Sequence, residues 1–252
     1  FTIGYQHPKD QSFNELANAR LLATHFGTDH TEALLQPDIR ALLPRVVEGM
    51  GEPFADSSAI PTYLVSQVAR RSVTVALSGI GGDELFGGYP RYLGIRLASH
   101  YQRLPRAVRS WLAASVSGVC RESGTGRDHM GRLKRFVGHG HRSLAEQYRR
   151  WTTFIPAEWE VGIWSEAMRE SLPHGFSPGR PSALFDQWPS TDPMDRAMGL
   201  DLQTYLSDDL LRMGDRMSMA HSLELRVPFC DHLLLACALR ISPSLRLSGW
   251  QL

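Results

Sequence analysis

Leu77-Ser78-Gly79-Ile80-Gly81-Gly82-Asp83-Glu84-Leu85-Phe86-Gly87-Gly88-Tyr89 is the stretch that decides how the chain is read. It directly follows Val73–Leu77, a short apolar run of the kind a buried parallel strand shows. The loop is therefore expected at the carboxyl end of a sheet strand. Working back toward the N-terminus, Phe1-Thr2-Ile3-Gly4-Tyr5 is β-rich and stops at the turn-prone His7-Pro8-Lys9-Asp10. Ser12 can cap a helix, with Glu15 completing a capping box. Leu16, Ala19, Ala23 and Phe26 keep a 3.6-residue period until Gly27 ends it. His30 to Leu35 reads as a second strand and Pro37 to Met50 as a second helix, followed by the loop Gly51-Glu52-Pro53-Phe54. Asp56 or Ser57 is expected to cap a third helix with Ile60, Tyr63, Leu64 and Val68 on one face. Strand, helix, strand, helix, strand is the doubly wound α/β pattern, with right-handed crossovers expected.

Working forward from Tyr89, no convincing strand is visible. Arg91 to Met168 and Asp195 to Leu239 read as helices. Leu172 to Pro193, with five prolines, reads as a long irregular connection. The expected organisation is one domain over residues 1–252, with an α/β nucleotide-binding part at 1–90 and a helical part at 91–252.

Bulk composition excludes several function classes. A net charge of +1 gives no field that recommends nucleic acid or an anionic membrane as partner. The arginines from Arg103 to Arg150 are interleaved with apolar residues at helical spacing, as on a solvated helix face. There is no run of 18 apolar residues and no charged-then-apolar leader, so the chain reads as soluble. Three cysteines, Cys120, Cys230 and Cys237, form no C-x-x-C and fit a reducing cytoplasm. Cys230 and Cys237 lie in apolar surroundings and read as small core residues. His25, His30, His139 and His141 have no metal-ligand spacing.

The chemistry is expected in the glycine-rich loop. Gly79, Gly81 and Gly82 let backbone N–H groups approach a ligand, and Ser78 adds a hydroxyl. Asp83 and Glu84 follow at once. Carboxylates beside phosphates repel them unless a cation intervenes, and hard oxygen ligands suit Mg²⁺ shared with a polyphosphate. The competing reading is a turn whose Asp83 merely caps the next helix.

The thirteen-residue string resembles the signature of the asparagine synthetase family, of the glutamine-using kind. A second string is similar to the family's pattern: Tyr205-Leu206-Ser207-Asp208-Asp209-Leu210-Leu211, then Asp215-Arg216-Met217-Ser218-Met219-Ala220-His221-Ser222-Leu223-Glu224-Leu225-Arg226-Val227-Pro228-Phe229. Read without that likeness, it is a packed helix with Met213, Met217 and Met219 in the core. Phe1 to Tyr5, Gly27 to His30 and Glu52-Pro53-Phe54-Ala55-Asp56 match in the same order.

The resemblance implies an adenine nucleotide α-hydrolase-like parallel sheet flanked by helices, followed by a mostly helical half. It implies ATP and Mg²⁺, adenylation of the aspartate carboxylate, release of pyrophosphate and attack by ammonia from glutamine. It further implies a glutaminase domain N-terminal to this region in the same polypeptide, and it is compatible with a homodimer. Carried over position by position, Ile3, Ser78, Gly79, Gly81, Gly82, Asp83 and Tyr89 would bind ATP, and Asp83 would also hold the metal. Glu84 and Arg216 would be catalytic. Asp56 and Ser57 carry no firm role, and Arg226 is read as a ligand contact or as an ion pair with Glu224 or another carboxylate.

Departures from the pattern set further expectations. Ile80 stands where asparagine-forming members usually carry an acid, and an isoleucine cannot move a proton. Met213 replaces a commonly basic residue, with Arg212 next door placed to compensate. The family's Ser-Gly-Gly-x-Asp-Ser-Ser pyrophosphate loop and its C-terminal lysine are not in the sequence, which stops at Ser248-Gly249-Trp250-Gln251-Leu252. The chain is therefore expected to be an excised piece, inactive alone, with a hydrophobic sheet edge prone to association. Alternatives are amidation of another acid (a sugar acid, a natural-product carboxylate or a β-lactam-type closure) and a degenerate nucleotide-binding module. A nucleic-acid-modifying pyrophosphatase rests only on the basic helices around Arg132 to Arg150.

Overall fold

Asp38 shows how local chemistry sets the elements. Its carboxylate accepts from the N–H groups of Arg40 and Ala41 and starts the helix Ile39–Met50. Gly51, at φ 72°, closes that helix with its N–H on the Val47 carbonyl. The structure is a computed structural model that describes residues 1–5, 16–119, 136–138, 140, 142–153, 162–171 and 180–247. The expected turn at His7–Asp10, the Ser12–Glu15 box, Cys120, His139, His141 and residues 248–252 lie outside these. The protein is a mostly helical α/β chain with small parallel sheets, divided into two compact units.

The first unit comprises residues 1–80 and 206–231. It holds two parallel strand pairs. Strand β1 (Thr2–Tyr5) runs beside β2 (Glu32–Leu35), with Thr2 opposite Glu32 and Tyr5 opposite Leu35. The helix Leu16–Phe26 supplies the crossover that parallel pairing requires. Strand β3 (Val75–Leu77) runs beside β4 (Glu224–Arg226). The helices Ile39–Met50, Ala59–Ala69 and Leu211–Met219 pack Val46, Met50, Tyr63, Leu64, Met213 and Met217 into one core, with Ile3 and Leu35 against it. A π-helical turn, Tyr205–Leu210, precedes the last of these helices.

The second unit, residues 81–205 and 232–252, is helical in its described part. The helices Pro90–Gln102, Leu144–Thr152, Arg180–Gln187 and Pro193–Gln203 surround Tyr92, Ile95, Tyr148, Phe185, Met194 and Leu200.

Several sequence expectations need correction. A strand does follow Leu77: β4 is only three residues, Glu-Leu-Arg, too short to show a period, and β3 supplies its ladder. Val75 and Leu77 are exposed, Leu77 at 74%, because no layer covers that face of β3 among the described residues. Phe26 is 71% exposed, so the helix Leu16–Phe26 buries only its first residue fully. Met219 is exposed while Met213 and Met217 are buried. Those two lie four residues apart on one helix face, and Met219, two residues further, is turned through about 200°. Within the expected irregular connection, Arg180–Gln187 is a helix that buries Phe185. The Ala59–Ala69 helix starts later than expected, and Asp56 holds the preceding turn by accepting from the Ser58 N–H. Its face is as expected, with Tyr63, Leu64 and Val68 buried. Arg149 and Arg150 are not a solvated face: both fold onto Glu146, whose carboxyl they hold below its ordinary pKa, Arg149 most. Cys237 is exposed and Cys230 half-buried.

Candidate functional site

In the first unit, β3 delivers Ser78 at its carboxyl end. The Ser78 N–H donates to the Arg226 carbonyl, which extends the β3–β4 ladder by one bond. The Ser78 hydroxyl oxygen accepts from the Ile80 N–H at 3.3 Å, so its own proton stays free to donate. Gly79 is exposed, with open space where a Cβ would stand. Ile80 turns inward: a Cβ on Gly214 would lie 2.9 Å from its Cδ1, and its carbonyl accepts from the Cys230 thiol at 3.9 Å. An apolar side chain here is thus matched by a glycine on the helix it meets.

Other expected residues of this unit are placed as follows. Ile3 sits in β1 opposite Ala33, and β1 shares no ladder with β3 among the described residues. Arg216 is exposed on Leu211–Met219 without an ion pair among the described residues. Arg226 pairs with Glu224 at 2.8 Å, and both side chains are exposed. Arg212 pairs with Glu52 at 2.6 Å, while Met213 belongs to the core. Asp56 faces Asp209 of the π-helical turn. Burial, then the Asp56 carboxylate, pushes the Asp209 pKa up to about 6.

In the second unit, Gly81 (φ 96°) opens the short helix Gly82–Phe86 and Gly87 (φ 82°) closes it. Both glycines take a left-handed conformation that other residues adopt at a cost. The Gly87 and Gly88 N–H groups both donate to the Asp83 carbonyl. A Cβ at Gly88 would fall on the Asp83 carboxylate, so glycine at that position leaves the carboxylate its room. Asp83 is exposed, whereas Glu84, its neighbour, is 1% exposed. The Tyr89 hydroxyl donates to Glu84 Oε1 at 2.7 Å. Burial, then that carboxylate, raises the Tyr89 pKa, so the phenol keeps its proton and acts as a donor.

Behind Tyr89 lies a cluster that sequence reasoning missed. The Arg91 guanidinium sits 3.9 Å from the Tyr89 ring centroid and 4.6 Å from that of Tyr205. Arg91 Nε and Nη2 donate to Asp201 Oδ2 at 3.0 and 2.8 Å. The Tyr92 and Tyr148 hydroxyls donate to the same oxygen at 2.7 and 2.6 Å. The one available signal was an acid, Asp201, set between two leucines, Leu200 and Leu202.

Among the described residues no three acids, histidines or cysteines gather as a metal site. That donor set fits Mg²⁺ only in the form in which phosphate and water supply most ligands and one exposed carboxylate, Asp83, adds to them. No helix of the described residues is long and apolar enough to cross a membrane.

The sequence model of the asparagine synthase family matches residues 1–252. Glutamine-hydrolysing asparagine synthetase 1 of Bacillus subtilis is 29% identical over 252 residues, covering 98% of this chain and 37% of that protein. A Mycobacterium tuberculosis protein, provisionally named a glutamine-hydrolysing asparagine synthetase, is 33% identical over 248 residues, 96% of this chain and 35% of its own. Amidase chyE of Penicillium rubens is 26% identical over 263 residues, 98% of this chain and 37% of its own. The chain thus spans little more than a third of the length of these relatives. No solved structure matches it significantly.

Proposed function

The chain belongs to the asparagine synthase family, and from that premise we propose that it is the nucleotide-using part of an ATP-dependent carbon–nitrogen ligase. In this reading ATP and a carboxylate give an acyl-adenylate and pyrophosphate, and a nitrogen nucleophile then displaces AMP to leave an amide. Aspartate is the first acid to test and asparagine the first product. Glutamine as nitrogen source is supported by the names of the relatives, and it would be hydrolysed by another part of the natural polypeptide. An adenine nucleotide α-hydrolase-like fold is supported by the parallel pairing of β1 with β2 and of β3 with β4.

The observation that carries the reading is the Ser78–Tyr89 string, with its exposed Asp83 beside a required glycine and its buried Glu84 held by Tyr89. Ser78, Gly79, Gly81 and Gly82 are assigned to the nucleotide, the Ile3 backbone to the adenine, and Arg216 to the reacting groups. Asp83 would hold Mg²⁺, which screens the phosphate charge that would otherwise repel an incoming carboxylate. Tyr89 remains a protonated donor and fixes the Glu84 carboxylate.

A second reading concerns the acceptor. Ile80 has no proton to move and packs toward Gly214, which favours a nitrogen nucleophile other than ammonia or an acid other than aspartate. Carboxylate-dependent ATP–pyrophosphate exchange by the full-length natural protein, over a panel of acids, tests the proposal. Exchange that Asp83→Asn abolishes is expected. No exchange with any acid would leave a nucleotide-binding module and sink the ligase.

A further inference from the structure

Glu84 has a second neighbourhood beyond Tyr89. It forms part of the wall of a cavity of about 240 Å³ within the second unit, shared with Trp188, Met198, Leu202, Leu239 and Arg246. One water needs roughly 10–15 Å³ of such volume, so the space is far larger than a packing gap.

Its charges do not cancel. Arg246 is almost fully buried and already engaged: Nη1 donates to Asp195 Oδ1 at 2.9 Å, and Nη2 to the Ala238 carbonyl at 2.8 Å. Asp195 Oδ2 takes the Ser190 hydroxyl at 3.1 Å. That guanidinium and Asp195 neutralise each other. Glu84 is left with the net negative charge of the wall, and its Oε2 has no donor among the described residues. A buried carboxylate without a cationic partner is costly. The remaining polar vacancy is the buried Arg246 Nε–H, which has no acceptor. Everything else in the wall named here is apolar.

We propose that this cavity binds an organic ammonium ion on a short apolar chain, with the ammonium against Glu84 and the chain against Trp188, Met198 and Leu202. The Arg246 Nε–H takes a carbonyl or hydroxyl oxygen of the same molecule. This deepens the ligase reading and rests on it for one point only, that such an amine would be the acceptor. An anion is disfavoured because the single cation present is already paired. Ammonia alone would leave the apolar wall without a partner.

Trp188 supplies the readout. n-Butylammonium, with n-butanol and butyrate as matched probes, is titrated into the full-length natural protein while tryptophan emission is followed. The expected result is saturable binding of n-butylammonium at least about tenfold tighter than n-butanol, as one charge-assisted contact gives. The signal should vanish in Trp188→Phe, and Glu84→Gln should weaken binding about tenfold. Leu202→Trp fills the cavity and should abolish amine binding with the denaturation midpoint retained, which keeps the test valid if Glu84→Gln fails to fold. n-Butylammonium binding no tighter than n-butanol overturns the proposal, as does tight binding that survives Leu202→Trp. Amine binding without any exchange would sink the ligase reading and leave the cavity assignment standing; exchange without amine binding would do the reverse.

Discussion

Two arginine–carboxylate pairs of the same 2.8 Å length, one in each unit, sit in opposite surroundings. Arg91 and Asp201 are 21% and 2% exposed; Arg226 and Glu224 are 65% and 56% exposed. The buried pair is not a pair at all, since two tyrosine hydroxyls complete the coordination of one carboxylate oxygen. The exposed pair is largely open to water. Distance alone therefore says nothing of what each contact contributes. Desolvation decides it, because an unsatisfied buried charge has no water to return to. A third carboxylate sharpens the contrast. Among the described residues Asp209 meets another acid, Asp56, and burial first and then that carboxylate raise its pKa.

The largest effect is expected from breaking the buried cluster. Asp201→Ala strands Arg91, Tyr92 and Tyr148 together and should cost about 3–5 kcal/mol, read as a lowered denaturation midpoint. Tyr148→Phe removes one donor and leaves the other partners of Asp201 in place, so about 1–2 kcal/mol is expected. If the two variants lose equal stability, the cluster does not act as a unit and the contrast with Arg226 fails.

Next in size is Asp209. Its folded pKa, about 6, lies above the ordinary 3.8 of an aspartate. Over that window the folded chain keeps a proton that the unfolded chain has released, so stability falls as pH rises from about 4 to about 6. The shift would amount to roughly 3 kcal/mol for a fully buried group, but Asp209 is only partly buried. Screening reduces the expectation to about 1 kcal/mol. Asp209→Asn should flatten that decline and gain about 1 kcal/mol at pH 7, as followed by denaturation across this pH range. A decline of unchanged slope would show that the Asp56–Asp209 contact is not its source.

Legibility in the sequence followed the range of the interactions. The Ala59–Ala69 helix face, the start of β1 and the closing glycine at 27 were readable, because each depends on neighbours within a few residues. Asp201 was not, since Tyr92 and Tyr148 reach it from 109 and 53 residues away. Strand β4 was hidden by its three-residue length. Phe26 and Met219 misled for another reason: a residue's apolarity records what it could bury, while the neighbours decide whether it does. In the candidate site the sequence named the Ser78–Tyr89 residues in order, but it could not tell that Ile80 meets Gly214 or that Glu84 meets Tyr89.

The smallest effect closes the comparison. Arg226→Ala removes a contact as short as the one between Arg91 and Asp201, yet Glu224, the partner left behind, is already largely exposed and regains hydration at little cost. The change should stay within about 0.5 kcal/mol and shrink further as salt is raised. β4 should persist in the variant, because its ladder to β3 uses backbone groups, including the Arg226 carbonyl that accepts from Ser78. A loss of 2 kcal/mol or more in Arg226→Ala, insensitive to salt, would mean that this arginine is shielded from water in the natural protein by something packed over β4. The contrast drawn between the two pairs would then have to be withdrawn.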